Sequence, residues 1–211
     1  MRHPIIVICE GRSELRYLQR LRNFLDQQRR GLLPFVLIPR VAGSGFFDVL
    51  CKALKAAQKD ITSHYYRFGI WTDYDIYRRD ENKCMTLYRE RRAQPSAFPT
   101  IRFSYHNFED FLMLHCPEDH VQQWRGVLAQ TLHVTNPLNR KEHLARFQAV
   151  FPNYRKGSLP PDFISWGSLR QLKANLAHRI ITPPSDDADC GDFAAFLIDA
   201  LERAYPGRLN P

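Results

Sequence analysis

The sequence predicts an α/β fold, a mostly parallel sheet flanked by helices, with a helical C-terminal half. Three observations carry this reading. Short apolar, β-branched or aromatic runs recur through the first half, at residues 5–9, 35–38, 68–72 and 101–104. Segments of helical periodicity separate them, which is the β-α-β-α-β rhythm of parallel sheets. Beyond about residue 117 no strong strand pattern remains, and apolar residues recur only at helical spacing.

Residues 5–9, Ile-Ile-Val-Ile-Cys, are continuously apolar, as a strand covered on both faces requires. Gly11 permits a tight turn, and Ser13 is placed to cap the helix that follows. That helix sets Leu18, Leu21 and Leu25 on one stripe, with Arg16, Arg20 and Arg22 elsewhere. Residues 35–38 give a second strand. Gly43-Ser44-Gly45 gives a loop, and a helix is expected from about 46 to 58. Residues 68–72 form the third strand, and the polar stretch 78–92 reads as an exposed helix. Residues 101–104 form the fourth strand, and residues 108–115 open another helix.

In the second half four stripes repeat at helical spacing. They are Val121, Trp124, Leu128 and Leu132; Leu144, Phe147 and Phe151; Leu169, Leu172 and Leu176; and Phe193, Phe196, Leu197 and Leu201. Pro137, residues 157–161 and Pro183-Pro184 break them. The expected organisation is an α/β core over residues 1–117 and a helical extension over 118–211 packed on it, with one continuous domain as the alternative.

The chain has 211 residues, 44% hydrophobic and 25% charged, which is ordinary for a globular protein. No apolar run approaches the ~20 residues of a membrane span. The first apolar run is too short for a signal-peptide core, so the expectation is a cytoplasmic protein. The five cysteines are odd in number and widely spaced, with no C-x-x-C, and indicate neither a disulfide framework nor a zinc site. Cys9 and Cys51 read as small buried hydrophobes. The net charge of +8 favours phosphate-rich partners.

Against this positive background stand three acidic clusters, each just past a predicted strand. Glu10-Gly11-Arg12-Ser13-Glu14 follows the first, Asp73-Tyr74-Asp75 the third, and Phe108-Glu109-Asp110 the fourth. If the strands are parallel neighbours, their C-terminal ends lie together. The carboxylates then converge as oxygen ligands for a hard divalent cation. In Asp73-x-Asp75 alternate residues of an extended segment point the same way. Each cluster also has a purely structural reading. Glu14, Glu109 and Asp110 suit a helix first turn, and aspartates are common in loops. Glu10, at the end of an apolar strand, has the weakest such reading, because a carboxylate there needs a partner or water.

Basic residues recur at Arg78-Arg79, Arg89, Arg91-Arg92, Arg102, Arg140-Lys141 and Arg155-Lys156. Tyr74, Tyr77, Tyr105 and Tyr154 are interleaved with them as candidates to stack bases. Lys156 sits before Gly157 in a loop, where a cation can reach phosphate. His115, Cys116, Glu118 and His120 match no zinc spacing. The run Asp186, Asp187, Asp189 and Asp192 reads as capping and solvation ahead of a helix.

Taken in order, these motifs resemble a Toprim domain, and specifically the RloB-like family. The residues that carry the likeness are 6–14 with Tyr17-Leu18, Trp71-Thr72-Asp73-Tyr74-Asp75, residues 103–115, and Tyr154-Arg155-Lys156-Gly157. The sequence departs from the family pattern at Ser13 (often Thr), at Tyr74 (often Arg), and near Asp110-Phe111, where a Trp is usual.

The resemblance implies a Toprim, Rossmann-like core. It implies a metal-dependent nuclease that cleaves phosphodiester bonds of nucleic acid, DNA or RNA, in prokaryotic anti-phage defence. Glu10, Asp73 and Asp75 would bind Mg²⁺ or Mn²⁺, and Glu109 would occupy the acidic position of the Phe-Glu segment. Arg12 and Lys156 are the candidates to hold phosphate oxygens. The alternative it implies is a non-catalytic or conditionally active Toprim subunit partnered with an ATPase encoded nearby.

Overall fold

The computed structural model describes residues 3–28, 35–41, 51–52, 67–73, 100–104, 107–129, 141–152, 154–155, 158–160, 162–176 and 190–210. Five strands form one sheet: β1 (His3–Cys9), β2 (Phe35–Val41), β3 (Arg67–Asp73), β4 (Thr100–Ser104) and β5 (Cys190–Asp192). Their spatial order is β2-β1-β3-β4-β5, and every neighbouring pair is parallel. The chain runs outward from β1 to β2, then returns to the other side of β1 for β3 and β4. This reversal between β1 and β3 is a topological switch point, where open α/β sheets leave a crevice beyond their strand ends.

The described helices are α1 (Arg12–Gln27), α2 (Phe108–Met113), α3 (Glu118–Ala129), α4 (Lys141–Val150), α5 (Trp166–Asn175) and α6 (Phe193–Ala204). The α/β class, the parallel sheet and the helical C-terminal part therefore agree with the sequence. The helix expected over 46–58 is represented by Cys51 and Lys52, which are helical. The remainder of that helix and the stretch 78–92 lie outside the described residues.

Two local expectations are corrected. Helix α1 begins one residue after Gly11, which occupies the N-cap without a side-chain hydrogen bond, so Ser13 is buried inside the first turn and is not the cap. Strand β5 lies in the half where the sequence shows no strand pattern. Its sequence, Cys-Gly-Asp, has no strand signature of its own; it is a strand because it pairs with β4. The same three residues end on Asp192, whose Oδ1 accepts the Ala195 N–H at 2.7 Å and caps α6, as expected of that acid.

One hydrophobic cluster runs from Val7 on β1 to Leu209 near the C-terminus and joins both halves of the chain. At its centre Trp71 of β3 stacks on Phe193 of α6, with ring centroids 3.7 Å apart and planes 10° from parallel. The Trp71 indole N–H donates to Ser104 Oγ on β4 at 2.8 Å, so this ring meets both its apolar and its polar needs. Tyr17 of α1 stands edge-on to Trp71, Phe108 and Phe111. Asn175, fully buried at the end of α5, donates through Nδ2 to the carbonyls of Leu114 and Cys116 at 2.9 and 2.8 Å. It thereby satisfies carbonyls that the short helix α2 leaves open. No helix among the described residues is long and apolar enough to cross a membrane.

Candidate functional site

The site lies where β1, β3 and β4 end. Cys9 pairs with Trp71, and Asp73 pairs with Ser104, so the three C-terminal strand ends share one edge of the sheet. The chain then leaves β1 through Glu10 and Gly11, and it enters α2 from β4 through Asn107.

Glu10 spans the switch point. Its backbone N–H donates to the Trp71 carbonyl at 3.2 Å, which continues the β1–β3 ladder by one step. Its Oε2 accepts the Thr72 hydroxyl at 3.0 Å and the Asp73 backbone N–H at 3.3 Å. Two donors from β3 thus orient a half-buried carboxylate beside Asp73. Both of these donors are neutral. The local sequence offers this acid no structural partner, and its partner is the neighbouring strand.

Gly11 has a specific reason to be glycine. A Cβ there would sit 2.8 Å from Glu14 Oε2, inside van der Waals contact. Glu14 therefore folds its carboxylate back over the turn, and it is buried, 4% exposed. A first-turn acid that only complements the helix dipole would stay in water. Glu14 also lies close enough to Cys9 that its charge adds to burial, the larger cause, in pushing the Cys9 thiol up.

Glu109 and Asp110 are both buried, and the structure separates their roles. Asp110 completes a capping box: Asn107 Oδ1 accepts the Asp110 N–H, and Asp110 Oδ2 accepts the Asn107 N–H, each at 3.1 Å. Its other oxygen, Oδ1, accepts the Trp124 indole N–H at 2.6 Å. Asp110 is thus committed to structure. Glu109 instead accepts at Oε1 the hydroxyl of Tyr154, 2.8 Å away.

Tyr154 does not have the role its sequence suggests. It is 4% exposed and cannot stack bases; its phenol is enclosed beside the acids. Burial pushes the hydroxyl well above its usual range, reinforced by the charge of Glu109, by the hydrogen bond to that carboxylate, and then by the charges of Glu14 and Asp73. One buried hydroxyl therefore feels carboxylates from all three clusters. The sequence signal for its burial is Phe147-x-x-x-Phe151-x-x-Tyr154, an aromatic series continuing the apolar stripe of α4.

Of the other expected site residues, Arg12 is exposed at the first position of α1, one residue from Gly11. Arg155 is exposed next to Tyr154. Asp75, Lys156, Tyr74, Tyr77 and Tyr105 lie outside the described residues. Arg102 lies 5.4 Å from the centroid of the Phe196 ring in a cation–π contact on the sheet. His115 and Cys116 are buried within the core, where burial lowers the imidazole to about 3 and raises the thiol to about 12, the latter with a smaller push from Asp119. Cys9 is buried as expected, whereas Cys51 is only half-buried.

Among the described residues no three His, Cys, Asp or Glu side chains converge closely enough to hold a metal ion. The donor chemistry of the site nonetheless fits a hard cation. Glu10, Asp73, Glu14 and Glu109 offer carboxylate oxygens only, the ligand type that Mg²⁺ and Mn²⁺ take. Comparison with protein-family models, with curated proteins and with solved structures finds no match to this chain.

Proposed function

We propose that the chain is a metal-dependent phosphodiesterase of the Toprim type, acting on nucleic acid at the C-terminal edge of the sheet. The observation that carries this reading is the Glu10–Asp73 junction. The Glu10 carboxylate, just past β1, accepts the Thr72 hydroxyl and the Asp73 backbone N–H, which brings it beside the last residue of the adjacent parallel strand at the switch point. Glu10, Asp73 and Asp75 would hold Mg²⁺ or Mn²⁺, and Glu109 would complete or orient the shell. When bound, the cation supplies charge neutralisation at a phosphate and an acidified water. Glu10 is a candidate to accept the proton of the attacking water, given its position at the switch point. Arg12, exposed at the start of α1 two residues after Glu10, and Lys156 are candidates to hold non-bridging phosphate oxygens. The net charge of +8 supports a polyanionic substrate. A role in anti-phage defence rests on the RloB-like resemblance alone.

The test combines binding and turnover. Mn²⁺ association is followed by electron paramagnetic resonance, and cleavage is assayed on single- and double-stranded DNA and on RNA. Glu10→Gln and Asp73→Asn preserve size while removing charge. Metal binding and cleavage by wild type, with both lost in the variants, is the expected result. Full activity in both variants would sink the reading. Metal binding without cleavage by the isolated chain, followed by cleavage once an ATPase encoded nearby is added, would favour the conditionally active subunit instead.

A further inference from the structure

Among the described residues, Tyr154 of the helical half reaches the acidic site, and its chemistry differs from that of the acids. Tyr154 lies beyond the end of α4, yet its hydroxyl reaches Glu109 at the start of α2. It is held on three sides. Its backbone N–H donates to the Phe151 carbonyl at 3.0 Å, and its own carbonyl accepts from Gln148 Nε2 at 3.0 Å. Its ring packs edge-on against Phe147, 4.8 Å between centroids. The backbone and ring of Tyr154 are thus fixed, and its hydroxyl is presented to Glu109 from a set position.

We infer that Tyr154 is a positioning residue for the acidic site, its hydroxyl setting the orientation of the Glu109 carboxylate. The inference rests on the phosphodiesterase reading given above, because positioning matters only if Glu109 serves a bound cation or its water. The choice of a phenol is informative. An Arg or Lys in the same place would orient Glu109 equally well, but it would offset the charge that a cation needs. A phenol donates one hydrogen bond and leaves the carboxylate anionic. Tyr154 does not touch substrate in this arrangement, since it is buried; it acts through Glu109.

The experiment uses the full chain as wild type, Tyr154→Phe, Glu109→Gln and the double variant. Tyr154→Phe keeps the ring on Phe147 and removes only the donor. Mn²⁺ affinity is measured by electron paramagnetic resonance, and kcat and KM are measured on the preferred nucleic acid. Loss of an outer-shell hydrogen bond is expected to weaken Mn²⁺ affinity or kcat about 10- to 100-fold, with KM for nucleic acid unchanged. In the Glu109→Gln background the same substitution is expected to add nothing, because the two act as one unit.

Wild-type Mn²⁺ affinity and kcat in Tyr154→Phe, with Glu109→Gln impaired, would overturn the inference and leave the phosphodiesterase reading standing. Independent, multiplying effects in the double variant would overturn it too. A Tyr154→Phe chain that fails to fold by circular dichroism would make the hydroxyl structural and would likewise overturn the inference. Absence of Mn²⁺ binding in wild type would remove the phosphodiesterase reading, and this inference with it.

Discussion

Trp124 and Tyr154 both stand edge-on to Phe147, at 69° and 72°, and each donates to one of two consecutive buried carboxylates, Asp110 and Glu109. Two aromatic donors from the helical half thus grip the first turn of α2. The two grips differ in consequence. The Asp110 carboxylate is also engaged by the capping box, so Trp124 acts on stability, whereas Tyr154 acts on an acid of the site.

Trp124→Phe isolates the first grip. It retains an aromatic ring at the contact with Phe147 and leaves a buried carboxylate oxygen short of its donor. Hydrogen bonds to charged groups contribute about 1.5–3 kcal/mol. Urea unfolding is expected to report a loss of that size, and Asp110→Asn in the same chain is expected to recover part of it. A loss below about 0.5 kcal/mol would show that the Trp124–Asp110 bond is not a fastening of α2.

Gly11→Ala separates function from stability by a different route. The backbone at residue 11 is extended, with φ −122°, so alanine meets no torsional penalty there. What it meets is Glu14 Oε2, the far end of a side chain. The cost in stability is expected near about 1 kcal/mol, the low end for a buried misfit. The displaced Glu14 carboxylate is expected to weaken Mn²⁺ binding far more than that cost implies. Thermal unfolding and Mn²⁺ titration of the same variant check it, and intact Mn²⁺ affinity in Gly11→Ala would remove Glu14 from the site.

His115 gives the protein a pH-dependent stability. Its imidazole is buried against Tyr17, Phe111 and Phe163, and its Nε2 lies 3.1 Å from the Tyr17 hydroxyl. Burial lowers its pKa from 6.5 to about 3, only partly opposed by the nearby Ser168 backbone. The unfolded chain binds a proton near pH 6.5, and the folded chain does not until about pH 3. Between those values the unfolded state holds more protons, so stability falls as pH falls. The slope approaches about 1.4 kcal/mol per pH unit well below pH 6.5, which amounts to about 1.6 kcal/mol between roughly pH 6.5 and pH 5. Denaturant unfolding across that window is expected to show this decline, and His115→Gln is expected to flatten it. An unchanged slope in His115→Gln would assign the dependence to other groups.

Much of the fold is legible in the sequence because its signals are local. The apolar runs of β1, β2, β3 and β4 and the leucine stripe of α1 each carry their period in a short window, and the structure follows them. Strand β5 is not legible, since Cys-Gly-Asp becomes extended only through pairing with β4. The site divides in the same way. Glu10 stands out because an acid at the end of an apolar strand has no local partner; its partners, Thr72 and Asp73, are on β3. Glu109 and Asp110 look alike in sequence, since both suit a helix first turn. The capping box with Asn107 and the packing of Trp124 and Tyr154 distinguish them. Tyr154 has the sequence surroundings of a surface aromatic, next to Arg155 and Lys156, and its burial depends on contacts with α2 and α4.

Strand β5 also sets an order of events during synthesis. Ile101 on β4 pairs with Cys190, and Trp71 receives its stacking partner only with Phe193. Until that stretch is made, β4 lacks its β5 partner and the Trp71 ring lacks its stacking partner. Closure of such a distant pair is slow relative to the local elements that precede it. A nascent chain halted before residue 190 would therefore present a strand ready to recruit another copy. The segment from Cys190 onward holds none of the three acidic clusters, yet it closes the β4 side of the sheet.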